Sequence, residues 1–365
     1  MRDEEIKYTI ALFFTKGIGL HSAKKLINAF GSAESVFEAR NFDIIRVSGI
    51  SSGVLKNFPS KEALDRAEGE LSFIKQNNIK FLRFDSVEYP FLLKQLYDSP
   101  LYIMLKGDVD LGADRFISIV GTRNMTNYGR RFCEELIENI APYNPTIVSG
   151  LAYGVDVTAH KAAVKYNLQN IAVVAHGLDQ IYPKSHYNIA KQIQAKGALL
   201  SEFTSGAIPD RENFPQRNRI IAGLSKTTIV IEAAKKGGAL ITAELANDYN
   251  RDVYALPGRV DDMFSEGCNN LIKDNKAILL NSSSEIIDYL GWDKDSSGTM
   301  VQKSLFIETS TEEDLVLQNI NGDSVALDDL SFKSEIPVYK LVSILLNLEL
   351  KGLVRPLPGK IFRLT

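Results

Sequence analysis

Thiols are scarce in this chain of 365 residues. Its two cysteines, Cys133 and Cys268, cannot build a disulfide framework or, by themselves, a thiolate metal site. Long apolar runs are missing as well, so no segment is expected to span a bilayer. The opening Met1-Arg2-Asp3-Glu4-Glu5 lacks the basic-then-apolar layout of a signal peptide, and the expectation is a soluble, cytoplasmic protein with no membrane partner. There is no surplus of positive charge: 42 Lys and Arg against 45 Asp and Glu leave a net charge of −3. Non-specific coating of duplex DNA is therefore disfavoured, and any nucleic-acid role must rest on a local basic groove. Neither G-x-G-x-x-G nor G-x-x-x-x-G-K-[ST] occurs, so no dinucleotide or triphosphate fingerprint is present and no cofactor is expected.

What is there is globular: 45% of residues are hydrophobic, and the length suggests two or three domains. Residues 1–75 read as helical. Lys16-Gly17-Ile18-Gly19 precedes an amphipathic run through Phe30, and Val47-Ser48-Gly49-Ile50 repeats the theme. Gly-Ile-Gly between two helices resembles a helix-hairpin-helix, whose turn presents backbone N–H groups to a phosphate. Glycine also simply ends helices, so packing is the competing reading.

Residues 76–292 alternate short β-branched runs with helical stretches. Candidate strands are Ile117–Val120, Thr146–Ser149, Ile171–Ala175, Ala198–Ser201, Thr228–Ile231 and Asp252–Ala255, with helices such as Tyr128–Ile140 and Asp156–Tyr166 between them. This alternation predicts an α/β fold, a doubly wound parallel sheet with ligands at the strand C-terminal ends. A polar stretch over 293–310 reads as a linker. Residues 311–365 offer a helix from Glu312, a short helix around Val325–Phe332, a longer one over Val338–Leu350, and a hairpin, which is a winged-helix arrangement. Its acidic residues slightly outnumber the basic ones, and the third helix carries only Lys340 and Lys351. That favours protein interaction over major-groove reading.

The most informative run is Phe214-Pro215-Gln216-Arg217-Asn218-Arg219, followed at once by apolar Ile220 and Ile221. A ring on which any base can stack, beside guanidinium forks, is the chemistry that grips single-stranded nucleic acid. The same arginines would equally serve to bridge surface carboxylates. Strand Ile117–Val120 leads into Gly121-Thr122-Arg123, with Tyr128-Gly129 opening the next helix. There a glycine admits an anion to the backbone, and Arg123 supplies a bidentate fork.

Ser149-Gly150-Leu151-Ala152-Tyr153-Gly154-Val155-Asp156 follows the next strand, with Ala159-His160 one turn on. Asp156 suits a helix cap as well as a ligand role, and Asp156 with His160 reads as a helix-start polar network rather than a metal site. After Gly177-Leu178-Asp179 and Tyr182-Pro183, Lys184 is a further candidate phosphate contact, while Glu202 has the wrong sign and is expected to orient an arginine. The run from Lys235 to Ala243 contains Gly237-Gly238 before a helix, another anion-friendly N-terminus, with the Thr242 hydroxyl near it.

Seven ordered segments of this kind resemble the DprA/Smf family, the DNA-processing proteins of natural transformation: Gly121–Arg123 with Tyr128-Gly129, Ser149–Asp156 with Ala159-His160, Gly177–Asp179 with Tyr182-Pro183, Ser201-Glu202, Phe214–Arg219, Gly237–Ala243 and Leu256-Pro257-Gly258. The resemblance is strong over the second zone and weaker over the flanking ones. It implies an extended Rossmann-like domain without a bound nucleotide, cooperative single-stranded DNA binding, dimerisation, and delivery of DNA to the RecA recombinase. It maps the DNA pocket onto Gly121, Thr122 and Arg123, onto Phe214, Arg217, Asn218 and Arg219, and onto Arg211, Lys184, Gly237 and Gly238. Ser149, Gly150, Gly154, Asp156, His160, Asp179, Glu202 and Thr242 would shape that pocket. Where many members carry Ser-Gly, this chain has Gly237-Gly238; a backbone role survives that change and a hydroxyl role does not.

The expected protein is thus a non-enzymatic single-strand binder. An alternative is a Rossmann-like nucleotide phosphoribohydrolase of the lysine-decarboxylase-like family, because Gly237-Gly238 through Glu244 loosely echoes the Gly-Gly-x-Gly-Thr-x-x-Glu turn. Ala239-Leu240 replaces the Gly-Thr step, and Glu244 is displaced from the position of the catalytic carboxylate. A third reading, duplex regulation through the winged helix, is weakened by that segment's acidity.

Overall fold

The computed structural model describes residues 1–50, 55, 58–292, 310–320, 325–351, 353–357 and 361–364. The chain divides into two compact units, Met1–Asp293 and Lys294–Thr365.

The first unit opens with helices α1 (Asp3–Phe14), α2 (Leu20–Phe30), α3 (Ala33–Glu38), α4 (Asn41–Ser48) and α5 (Lys61–Gln76). Local chemistry sets their ends. Gly31 and Gly49 take left-handed φ values of 81° and 72° after α2 and α4, and Ser60 accepts from the Ala63 N–H to start α5. Gly17 turns at φ 87° between α1 and α2, and Ile18 beside it is buried. The helices share one core with the edge of the sheet. Phe13 meets Tyr102 edge-on at 5.6 Å, Tyr102 stacks on Phe81 at 4.8 Å, and buried Glu5 pairs with buried Arg83.

The sheet follows, with β1 (Lys80–Arg83), α6 (Phe91–Lys94), β2 (Tyr102–Gly107), β3 (Phe116–Val120), α7 (Asn127–Ile140), β4 (Thr146–Ser149), α8 (Val155–Lys165), β5 (Asn170–Val173), α9 (Tyr187–Ala195), β6 (Gly197–Ser201), α10 (Asn213–Leu224), β7 (Thr227–Val230), α11 (Gly238–Asp248), β8 (Asp252–Ala255), α12 (Glu266–Lys273), β9 (Ile278–Leu279) and α13 (Glu285–Leu290). Strand order is β1-β2-β6-β5-β4-β3-β7-β8-β9. From β6 to β9 every pairing is parallel.

All residues of β3, β4, β5, β6 and β7 are buried, as helices on both faces require of near-continuous apolar runs. The six expected strands are present within two residues of their bounds. Three strands of this sheet went unforeseen, and the two-residue β9 at the parallel edge is one of them. β1 and β2 add an antiparallel edge, pairing Lys80 with Leu105 and Met104 with Ser201.

The second unit is a winged helix: α14 (Thr311–Asn319), β10 (Val325–Ala326), α15 (Leu327–Ser334), α16 (Val338–Leu350), β11 (Val354–Leu357) and β12 (Ile361–Leu364). Ser310 and Glu313 form a capping box at the start of α14. Leu330, Leu341, Leu345 and Leu348 fill its core. The helix expected to start at Val325 begins instead as a strand, because Val325 and Ala326 pair with Phe362 and Ile361 of the wing. Apart from Ser310, the linker expected over 293–310 lies outside the described residues.

Candidate nucleic-acid interface

β3 and β7 are neighbours, yet the chain leaves them in opposite directions, towards β4 on one side and β8 on the other. Such a switch point opens a crevice beyond the strand C-termini, between the turns that follow each strand. The turn after β3 is clamped from two elements. The Thr122 N–H donates to the Glu232 carbonyl at 2.7 Å, and the Thr122 carbonyl accepts from the Val155 N–H at 3.2 Å. The buried Glu232 carboxylate also accepts from the Thr126 N–H at 2.8 Å and from the Thr126 hydroxyl. Gly154 has φ +75°, and a Cβ there would lie 2.2 Å from the Thr122 carbonyl, so a side chain would force the two loops apart.

This clamped turn leaves Arg123 exposed at the mouth of a trough of about 790 Å³. Phe214 and Pro215 line it from the first turn of α10, and Leu240 and Ile241 from α11. Among the described residues its cations are Arg123, Arg211, Lys235 and Lys236, all exposed, and the one carboxylate lining it is Glu244. The Arg123 guanidinium carbon lies 5.4 Å from the Phe214 ring centroid. Behind them is an inner cavity of about 400 Å³, lined by Gly121, Thr122, Asp156, Arg217, Asn218 and Thr242. Gly237 and Gly238 border both spaces, and no side chain caps the start of α11, so its first N–H groups are open. Asn218 donates to the Gly238 carbonyl at 3.2 Å, and the Thr242 hydroxyl donates to the same carbonyl at 3.1 Å.

The two arginines of the Phe214–Arg219 run do not act as a pair of surface forks. Arg217 is 4% exposed and donates to the Gly150 carbonyl at 2.6 Å and to the Val173 carbonyl. Its only unpartnered buried atom is Nε. Burial, and then repulsion from Arg123, bring its pKa down to about 10 against the opposing pull of Asp156. A Cβ at Gly150 would lie 2.2 Å from Arg217 Nη1, so Gly150 is there for this guanidinium. Arg219 points away from the trough, to the Asp98 carbonyl and an ion pair with buried Glu202. Glu202 thus holds an arginine, and burial raises its pKa.

Lys184 is exposed after Pro183 but lines neither the trough nor the inner cavity. Asp179 is exposed on the turn after β5. Ser149 donates to the Ile119 carbonyl at 2.6 Å, bracing β4 against β3. Asp156 accepts from the Ala152 N–H at 3.3 Å and is pushed up by burial. His160 bonds elsewhere than expected. It accepts from the Leu151 N–H at 3.3 Å, and its Nδ1 lies 2.6 Å from Asn170 Oδ1; burial lowers its pKa to about 4 against the opposing effect of the Asn170 bond. Sequence reasoning missed Lys235, Lys236 and Glu232 as parts of the site. Two lysines directly before Gly237-Gly238 were the available signal for the first two; nothing marked the third.

A family profile described as DNA recombination-mediator protein A matches residues 80–291, more than half of the 365. The chain belongs to this family. The DprA winged helix domain of the family matches residues 307–360. Protein Smf of Synechocystis is 33% identical over 393 aligned positions, covering 98% of each chain. Protein Smf of Escherichia coli is 35% identical, over 84% of this chain and 82% of that one. Among solved structures, DprA from Streptococcus pneumoniae superposes with a TM-score of 0.67 at 32% identity, covering 77% of this chain and 97% of that one. DprA from Helicobacter pylori, described for its unique single-stranded DNA binding mode, gives 0.54 at 29% identity, over 59% and 96%. The DprA/Smf resemblance read from the seven motifs is therefore membership, and the doubly wound sheet with a winged helix is the architecture of this family member.

Proposed function

We propose that this chain binds single-stranded DNA in the trough beyond β3 and β7. The observation that carries the reading is the pairing of a half-buried ring and an exposed fork, Phe214 with Arg123 at 5.4 Å, inside a trough that, among the described residues, is lined by four cations and one carboxylate. A base stacks on the ring whatever its identity, while the cations and the open N–H groups of α11 take the phosphates. Arg123, Arg211, Phe214, Lys235, Lys236, Gly237 and Gly238 make the contacts. Gly121, Gly150, Gly154, Asp156, Arg217 and Thr242 hold the trough in shape. The Helicobacter pylori relative's single-stranded DNA binding mode supports the ligand class.

The family's description as a recombination mediator supports the finer reading: a non-enzymatic homodimer that protects incoming DNA and presents it to a RecA-type recombinase. Fluorescence anisotropy with labelled oligo-dT tests the binding step. An Arg123→Ala, Phe214→Ala double variant that binds as the unaltered chain does ends the proposal.

A further inference from the structure

Beside the trough lies a second aromatic surface. Tyr182 stands next to Phe214, with ring centroids 6.3 Å apart, and is 43% exposed. Tyr153, 48% exposed, follows the turn after β4 and directly precedes Gly154, which packs against the Arg123 backbone. The rings are set, not loose. The Tyr153 hydroxyl shares a hydrogen bond of 3.0 Å with Ser185, and its ring meets buried His186 edge-on at 4.8 Å. His186 is itself fixed by a 2.8 Å bond from Nδ1 to the Leu151 carbonyl. The Tyr182 N–H donates to His176 Nε2 at 3.2 Å. Two residues after Tyr182 and one before Ser185, the chain places an exposed lysine, Lys184, that the trough does not use.

Large side chains of this kind gain by burial, and several held open in one neighbourhood mark a contact surface. The surface is continuous with Phe214, and its cations are lysines, with the Asp179 carboxylate exposed on the turn after β5: besides Lys184, Lys191 lies 5.7 Å from the ring centroid of exposed Tyr187 at the start of α9. Rings interleaved with ammonium groups match unpaired nucleotides, with bases on the faces and phosphates on the cations. We infer that Tyr182 and Tyr153, with Lys184, form a second stacking platform that continues the path of a single DNA strand out of the trough, over the loops that follow β4 and β5. This rests on the trough binding single-stranded DNA, and it lengthens the strand the chain can hold.

The test uses the full chain and oligo-dT of about 5 and about 15 nucleotides, near the two ends of the ~4–16-nucleotide range of single-strand site sizes. Binding is measured by anisotropy for Tyr153→Leu, Tyr182→Leu, Tyr153→Phe, Tyr182→Phe and Phe214→Ala. The expected result is that each Leu variant weakens binding of the long oligonucleotide by about tenfold, within the range for losing one stacked base. The short one is held as before, and each Phe variant, which keeps the ring, binds both as the unaltered chain does. Ultraviolet cross-linking of 5-iodouracil-substituted long oligonucleotide should attach to Tyr153 or Tyr182. Leu variants that bind the long strand normally while Phe214→Ala weakens both lengths would overturn the platform and leave the trough standing. Equal weakening at both lengths would also overturn it, since the rings would then act only by supporting the trough. If Phe214→Ala changes neither length, the trough fails instead, and the tyrosine variants judge the platform on their own.

Discussion

Arg123 and Arg217 approach the same ring: their guanidinium carbons lie 5.4 Å and 5.9 Å from the centroid of Phe214. One is exposed and the other 4% exposed, and this difference in burial gives them different work. Arg123 can turn to a ligand. Arg217 is held by two backbone carbonyls and braces the loop after β4 against the end of β5.

Arg123→Ala should therefore weaken single-strand binding and leave folding stability within about 0.5 kcal/mol, as is usual for an exposed side chain. If Arg123, Arg211, Lys235 and Lys236 each neutralise one phosphate, the slope of log K against log salt is near −0.7 per contact, or about −2.8 in all. A fourfold rise in salt then weakens binding ~50-fold, and the variant loses ~0.7 from the slope. Anisotropy titrations at several salt concentrations read both quantities. A variant with an unchanged slope would mean that Arg123 touches no phosphate.

Arg217→Met should show the opposite balance. It strips two buried carbonyls of their donor and leaves buried Asp156 without its compensating charge. Breaking a buried charge relationship of this kind costs about 3–5 kcal/mol. Urea unfolding followed by circular dichroism should show an early transition. At temperatures where the variant is folded, the salt slope of DNA binding should match that of the unaltered chain.

How these arginines were legible, and how not, follows from helix geometry. The central strands stood out because apolar runs such as Phe116–Val120 are bounded by glycine and polar turns. β1 did not, since Lys80-Phe81-Leu82-Arg83 is short and charged at both ends; Lys80 reaches Glu88, and Arg83 pairs with neighbouring Asp85 and with Glu5, which only the tertiary fold brings to it. Phe214 to Arg219 reads as a cluster along the chain, but on a helix successive residues turn by about 100°. Residues 214, 217 and 218 then share one side, and Arg219 falls on the other, against Glu202. The run was recognisable as functional, while its inward and outward faces depended on α10 starting at Asn213.

Acid should destabilise the first unit through His160. Its pKa falls from 6.5 to about 4 on burial, so the unfolded chain takes up a proton that the folded chain refuses. The stabilising contribution is complete above pH 6.5, declines as pH drops through the interval, and is gone near pH 4. A shift of this size corresponds to about 3 kcal/mol over the whole interval. His160→Gln should lower stability at pH 7.5, because the bonds to Leu151 and Asn170 are disturbed, yet flatten the dependence of stability on pH between 6.5 and 4. Urea midpoints across that range decide it. An equally steep fall in the variant would assign the acid sensitivity to other groups, of which His176, also lowered by burial, comes first.

Gly237 is a position where a substitution should do no harm to folding. Its φ of 172° is extended backbone open to any residue, and a Cβ there meets nothing within 4 Å. Gly237→Ser should be neutral or stabilising by about 0.4–1 kcal/mol, because serine narrows the unfolded ensemble without straining the folded one. The added hydroxyl sits at the uncapped start of α11, where N-cap serine is worth a few tenths of a kcal/mol more than glycine. The two possible outcomes for DNA separate cleanly. If the open N–H groups of α11 receive a phosphate directly, a serine side chain that caps them competes for the same donors and weakens oligo-dT binding. If the phosphate is held by Lys235 and Lys236 alone, binding stays as it was while the melting temperature rises. Thermal unfolding and anisotropy on the same preparation distinguish the two, and the geometry of the trough, with Gly237 and Gly238 bordering both of its spaces, favours the first.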